Sequence, residues 1–129
     1  MYNLLNMKNM KKRFFVVVLL AVVVGLGACK KKSDINTIKS FRIDNVDHTD
    51  KINHSTGLIG GTFAKTGPDT WESGTPSGWP NGTVTVELSD NKAQITPIQN
   101  PINLEANVKF TVTAENGDTK VYTISFARE

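Results

Sequence analysis

The chain is poor in the residues that carry covalent and metal chemistry. Its 129 residues include a single cysteine, Cys29, and two histidines, His48 and His54. One thiol excludes an internal disulfide and a Cys-based zinc site. Two histidines in one polar stretch leave little basis for a Ser/His/Asp triad. Apolar residues at helical spacing are missing after residue 36, which argues against a helical body. A basic surface is missing as well. Fifteen Lys and Arg face twelve Asp and Glu, a net charge of +3. Four of the basic residues, Lys8, Lys11, Lys12 and Arg13, precede Cys29. After it, eleven face twelve, a net charge of −1. No nucleic-acid partner is expected from that balance.

What is present begins with a three-part N-terminus. No acidic residue precedes Cys29. A basic start gives way to an unbroken nonpolar stretch, Phe14 to Ala28, that ends in small residues. That is the order of an export signal. The run Leu26-Gly27-Ala28-Cys29 resembles the lipobox of a bacterial lipoprotein signal peptide. The resemblance implies cleavage before Cys29 and acylation of its thiol. The apolar run is shorter than the ~18 to 20 residues of a spanning helix, which disfavours an uncleaved anchor. Translation from Met7 or Met10 instead of Met1 would give the basic region a more usual length. Two or more acyl chains hold a protein stably in a bilayer, where one does not. The lipid bilayer is thus the first expected partner. Lys30, Lys31 and Lys32 read either as the solvated start of a tether or as contacts to anionic headgroups. Lys30 stands where an aspartate retains enterobacterial lipoproteins at the inner membrane. Outer-membrane anchoring in the cell envelope is therefore expected.

From Thr37 the pattern is β. Ile38 to Ile43 reads as a strand, followed by a polar turn from Asn45 to Lys51. Ile52 to His54, Leu58 to Phe63, Thr83 to Leu88 and Ala93 to Thr96 read as further strands. Two prolines, Pro97 and Pro101, mark an edge or crossover. Asn107–Glu115 and Thr119–Ala127 alternate apolar and polar residues around Asn116-Gly117. This predicts a hairpin with a type I′ turn. The expected inward side chains are Phe41, Ile43, Ile52, Leu58, Val84, Val86, Leu88, Ile95, Val108, Phe110, Val112, Tyr122, Ile124 and Phe126. About seven short strands with this patterning predict an all-β, Ig-like β-sandwich. The expected organisation is a signal peptide over 1–28, a lipidated tether over 29–36 and one domain over 37–129.

The segment from Val108 to Gly117, followed by Lys120-Val121-Tyr122-Thr123-Ile124, resembles the closing strands of small Ig-like domains in Bacteroidetes surface lipoproteins. These are cadherin-like or PKD-like β-sandwich modules of unknown function. Ile38-Lys39-Ser40-Phe41-Arg42-Ile43 is similar to their first strand, and Ala93-Gln94-Ile95-Thr96-Pro97 to an inner segment. The resemblance implies a cell-envelope location and a role in surface assembly or glycan-related binding. It supplies no catalytic residue. The chain departs from the family in the long stretch Lys65 to Gly82.

That stretch holds both tryptophans, Trp71 and Trp79. Long loops in small domains are often functional. Indole rings stack on the apolar faces of sugars, and Asp69, Glu72 and Asn81 could bind hydroxyls. The same tryptophans could instead fold back and cap the sandwich. Asp44, Asp47, His48, Asp50 and His54 cluster in sequence but match neither an EF-hand nor a zinc-protease spacing, so no metal is expected. Gly60-Gly61 with Lys65-Thr66 fails as a phosphate loop. Ser77 lacks a nucleophile-elbow context. The expectation is a noncatalytic envelope lipoprotein without a cofactor. It would bind a glycan through the Trp-rich loop or, alternatively, an envelope protein in a surface complex. A small hydrolase is the weakest reading.

Overall fold

A computed structural model describes residues 30–129. The expected signal peptide and the lipidation site Cys29 lie outside the described residues. The compact unit that contains the strands runs from Ser33 to Glu129. Its strands are β1 (Ile38–Ile43), β2 (Val46–Asp47), β3 (Ile52–Asn53), β4 (Leu58–Phe63), β5 (Lys65–Gly67), β6 (Thr70–Trp71), β7 (Asn81–Gly82), β8 (Val84–Leu88), β9 (Gln94–Ile95), β10 (Ile102–Asn103), β11 (Val108–Thr113) and β12 (Thr119–Arg128). A single 3-10 turn, Thr49–Lys51, is the only helical element among the described residues.

Two open sheets make the sandwich. One has the order β2-β1-β8, the other β3-β4-β12-β11-β9. Most neighbours are antiparallel, but β12 pairs with β4 in parallel, from Thr123↔Leu58 to Arg128↔Phe63. Side chains on a strand alternate between faces. The inward set of β12, Tyr122, Ile124 and Phe126, therefore meets Phe41 and Ile43 of β1 across the core. Phe41 stacks on Phe126 with ring centres 6.4 Å apart. Tyr122 is fully buried, and burial pushes its hydroxyl above the usual tyrosine range, against an opposing backbone hydrogen bond from Ile38.

Most of the expected inward residues are buried or packed against the core. Leu58 is a correction: it is 46 % exposed, and Ile59 is buried in its place. The reason is register. Ile59 pairs with the inward Ile124 and shares its face with Phe63, which leaves Leu58 on the outside. A second departure is Ile38, buried beside Phe41 although the two differ in parity. The register shifts between Ile38 and Ser40, so a bulge at Lys39 turns Ile38 inward.

The type I′ turn is also a correction. Only Gly117 takes positive φ in the β11–β12 turn, at 94°. The Gly117 N–H donates to the Ala114 carbonyl, and the Ala114 N–H to that of Asp118. This is a type I turn followed by a glycine bulge. Positive φ at two successive residues occurs in the β1–β2 hairpin, at Asp44 (51°) and Asn45 (66°). Gly60 has a different requirement. A Cβ there would overlap the Ser125 carbonyl, so the close approach of β4 to β12 demands a bare backbone.

Candidate functional site

The long stretch after β4 is only partly a loop. Its first half is a two-stranded ribbon in which Lys65 faces Trp71 and Gly67 faces Thr70. The second half folds over one end of the sandwich. Pro76 is buried there, and Trp79 packs edge-on against Phe63 with ring centres 5.6 Å apart. The Pro80 carbonyl accepts from the Leu104 N–H, and the Leu104 carbonyl accepts from that of Phe126. Trp79 is thereby tied to the central strand. Phe63 and Phe126 stack at 5.3 Å behind it.

Arg128 completes this end. It continues the inward register of Tyr122, Ile124 and Phe126, so its side chain leaves the strand on the core side, past the last apolar layer. There the Arg128 Cζ lies 4.2 Å from the ring centre of Trp71 and 5.6 Å from that of Trp79. The Lys65 Nζ lies 5.9 Å from the Trp71 ring. A cation over an indole face is favourable, by about 0.5–1 kcal/mol where water has access. Sequence reasoning missed Arg128 and Lys65. A signal for Arg128 existed: it is the charged fourth member of an otherwise apolar alternation.

The two tryptophans thus converge on one guanidinium, but their settings differ. Trp79 packs against the core cluster; Trp71, on its ribbon, is half-buried outside it. Asp69 is exposed in the turn of the ribbon. Glu72 is half-buried, and its backbone is fastened to Ala64 and Thr75. Asn81 is exposed and pairs with Asn103 of β10. The arrangement offers an indole surface and a cationic fork of N–H donors.

The acidic and histidine cluster does not converge. His48 is buried, edge-on to Phe63 and Phe126. His54 Nδ1 sits 3.2 Å from the Tyr122 hydroxyl. The Asp44 carboxylate accepts from the Thr83 N–H. Asp47 is held below the usual carboxylate range, chiefly by the Thr49 hydroxyl and then by the Thr49 N–H. Asp50 faces Lys51. Among the described residues no group of three His, Cys, Asp or Glu side chains is placed to hold a metal.

At the other end of the sandwich, Ser33 is clamped. Its N–H donates to Glu115 Oε2 at 3.1 Å, and its carbonyl accepts from the Asn116 N–H at 3.0 Å. Its hydroxyl accepts from the Ile35 N–H at 3.2 Å, and the Ser33 side chain beside Asp90 is the main cause that holds that carboxylate below its usual range. Lys92 and Glu115 pair at 3.7 Å alongside.

No helix among the described residues is long and apolar enough to cross a membrane. No family model matches the chain, and no curated protein matches it. Among solved structures, the chain is similar to a Bacteroides fragilis protein named a "putative secreted protein". The likeness has a TM-score of 0.42 and 14% identity, and covers 76% of this chain and 96% of that one.

Proposed function

We propose that the chain is a noncatalytic cell-envelope lipoprotein, anchored through acylated Cys29, whose sandwich binds glycan at the Trp71–Arg128–Trp79 end. The observation that carries this is the polarity of β12. The strand starts beside the turn that clamps Ser33 and ends at Arg128. Its ten residues span about 30 Å at ~3.3 Å each. Only Lys30, Lys31 and Lys32 separate Cys29 from Ser33. Full extension of that spacer reaches about 14 Å. A lipid on Cys29 would thus hold the Ser33 end toward the bilayer and leave the aromatic end facing away from it. The lysines of the spacer would meet anionic headgroups at about 1 kcal/mol each.

Cells grown with a labelled fatty acid test the anchor. The protein should carry label and sediment with membranes, and Cys29→Ala should lose both. An unlabelled product would end the lipoprotein reading. Retention on immobilised envelope polysaccharides tests the binding surface. Trp71→Ala is the informative variant, because Trp79→Ala also removes packing from Phe63. Retention unchanged by Trp71→Ala would end the glycan reading.

A second reading, contact with an envelope protein, has its own support. β8 is an edge strand. Among the described residues no strand pairs with its outer side, which a partner strand could occupy. Crosslinking from a photoreactive group at Thr85 in intact cells would identify such a partner.

A further inference from the structure

We propose that the glycan bound at the aromatic end is acidic, with Arg128 as the group that grips its carboxylate or sulfate. This deepens the reading of that end as a glycan-binding surface and rests on it. The geometry differs from a simple sugar-stacking platform. The guanidinium already lies over the Trp71 ring at 4.2 Å. A neutral sugar stacking on that face would first have to displace a cation. An anionic sugar can instead bind the guanidinium where it lies, through its carboxylate or sulfate. A guanidinium held against an indole keeps its in-plane N–H donors free, and their fork matches a carboxylate or sulfate.

Among the described residues the charge on Arg128 has no ion-pair partner. The ion pairs among the described residues are Lys39 with Glu87, Lys51 with Asp50 and Lys92 with Glu115. None involves Arg128 or Lys65, so no carboxylate lies within 4.0 Å of either cation. That includes Asp69 and Glu72, although the ribbon that carries Trp71 also carries Asp69. Two exposed cations beside one indole, neither ion-paired among the described residues, form a positive site. The aromatic wall beside them favours a ring-bearing anion over an extended acidic peptide.

Affinity electrophoresis of the full-length acylated protein in detergent micelles tests this. The gels would contain polygalacturonate, dextran sulfate, neutral dextran or poly-glutamate. Retardation is expected in the first two only. It should weaken about tenfold in Arg128→Gln, and less in Arg128→Lys, which keeps the charge but loses the planar fork. Lys65→Gln should weaken it as well. This second variant keeps the test open if Arg128→Gln melts early by circular dichroism. Equal retardation by dextran, lost in Trp71→Ala, would overturn this inference and leave the glycan reading intact. Retardation by none of the saccharides would overturn both. Equal retardation by poly-glutamate, or binding unchanged in both cation variants, would overturn the acidic-glycan assignment.

Discussion

Asn100 takes the place of a neighbouring strand for Val84. Its Nδ2 donates to the Val84 carbonyl at 2.8 Å, and its Oδ1 accepts the Val84 N–H at 2.8 Å. One side chain thus supplies both hydrogen bonds of a ladder position on an edge strand. Asn100→Ala should destabilise the domain by about 1–2 kcal/mol, since two backbone groups lose partners. It should also lengthen the open edge, a hazard for self-pairing. Denaturant melts would read the first effect and sedimentation velocity the second. A melt unchanged by the substitution would contradict this assignment of Asn100.

Adjacent glycines should behave oppositely. A Cβ at Gly60 meets the Ser125 backbone, whereas at Gly61 the nearest atom is the Lys51 Cδ at 3.6 Å. Gly60→Ala should cost about 3 kcal/mol or more, because β4 and β12 must part. Gly61→Ala should fall within about 0.5 kcal/mol of the parent. Urea unfolding of the pair is the measurement.

His48 has the reverse expectation. It is 5 % exposed, its Nε2 has no hydrogen-bond partner among the described residues, and its ring neighbours are Phe63 and Phe126. An unpaired buried nitrogen costs about 1–3 kcal/mol. His48→Leu should therefore raise stability by about 1 kcal/mol or more, read as a higher urea midpoint. A lower midpoint would mean that the imidazole has a structural role of its own.

The β architecture was largely legible because most long strands alternate. β1, β8, β11 and β12 each carry their inward residues at spacing two for most of their length. Misreadings arose where alternation failed. Leu58 and Ile59 are adjacent apolar residues followed by two glycines, so only Phe63 could have set the parity. Asn116-Gly117 and Asp44-Asn45 both allow positive φ, and hairpin geometry, not composition, decided which pair adopted it at both positions. Leu104 is fully buried yet lies in no strand. Its place comes from backbone bonds to Pro80 and Phe126, which no local pattern records. The tryptophans were visible in the candidate site. Their shared partner Arg128 is remote in sequence and comes to them through the parallel pairing of β4 with β12.

Acid should weaken the fold through three carboxylates. Asp47, Glu87 and Asp90 are held below their ordinary values, chiefly by Thr49, Lys39 and Ser33 respectively. A depressed carboxylate stabilises the folded state above its ordinary value, and that contribution fades as pH falls through the folded value. The melting temperature should therefore decline below about pH 4. Asp90→Asn should flatten part of that decline. Tyr122 works in the opposite range. Its value is raised, so its contribution is complete below the ordinary tyrosine value near 10.0 and is lost above it. Thermal melts across both ranges would check the signs.

The last strand of the sandwich in chain order is the one at the centre of its larger sheet. β12 lies between β4 and β11, and both sheets meet on its inward side chains. A nascent chain that has emitted β1 through β11 still lacks the element that joins them. Such distant pairings delay folding. The sandwich should thus stay open until β12 has joined it, and a fragment ending after β11 should lack a cooperative unfolding transition.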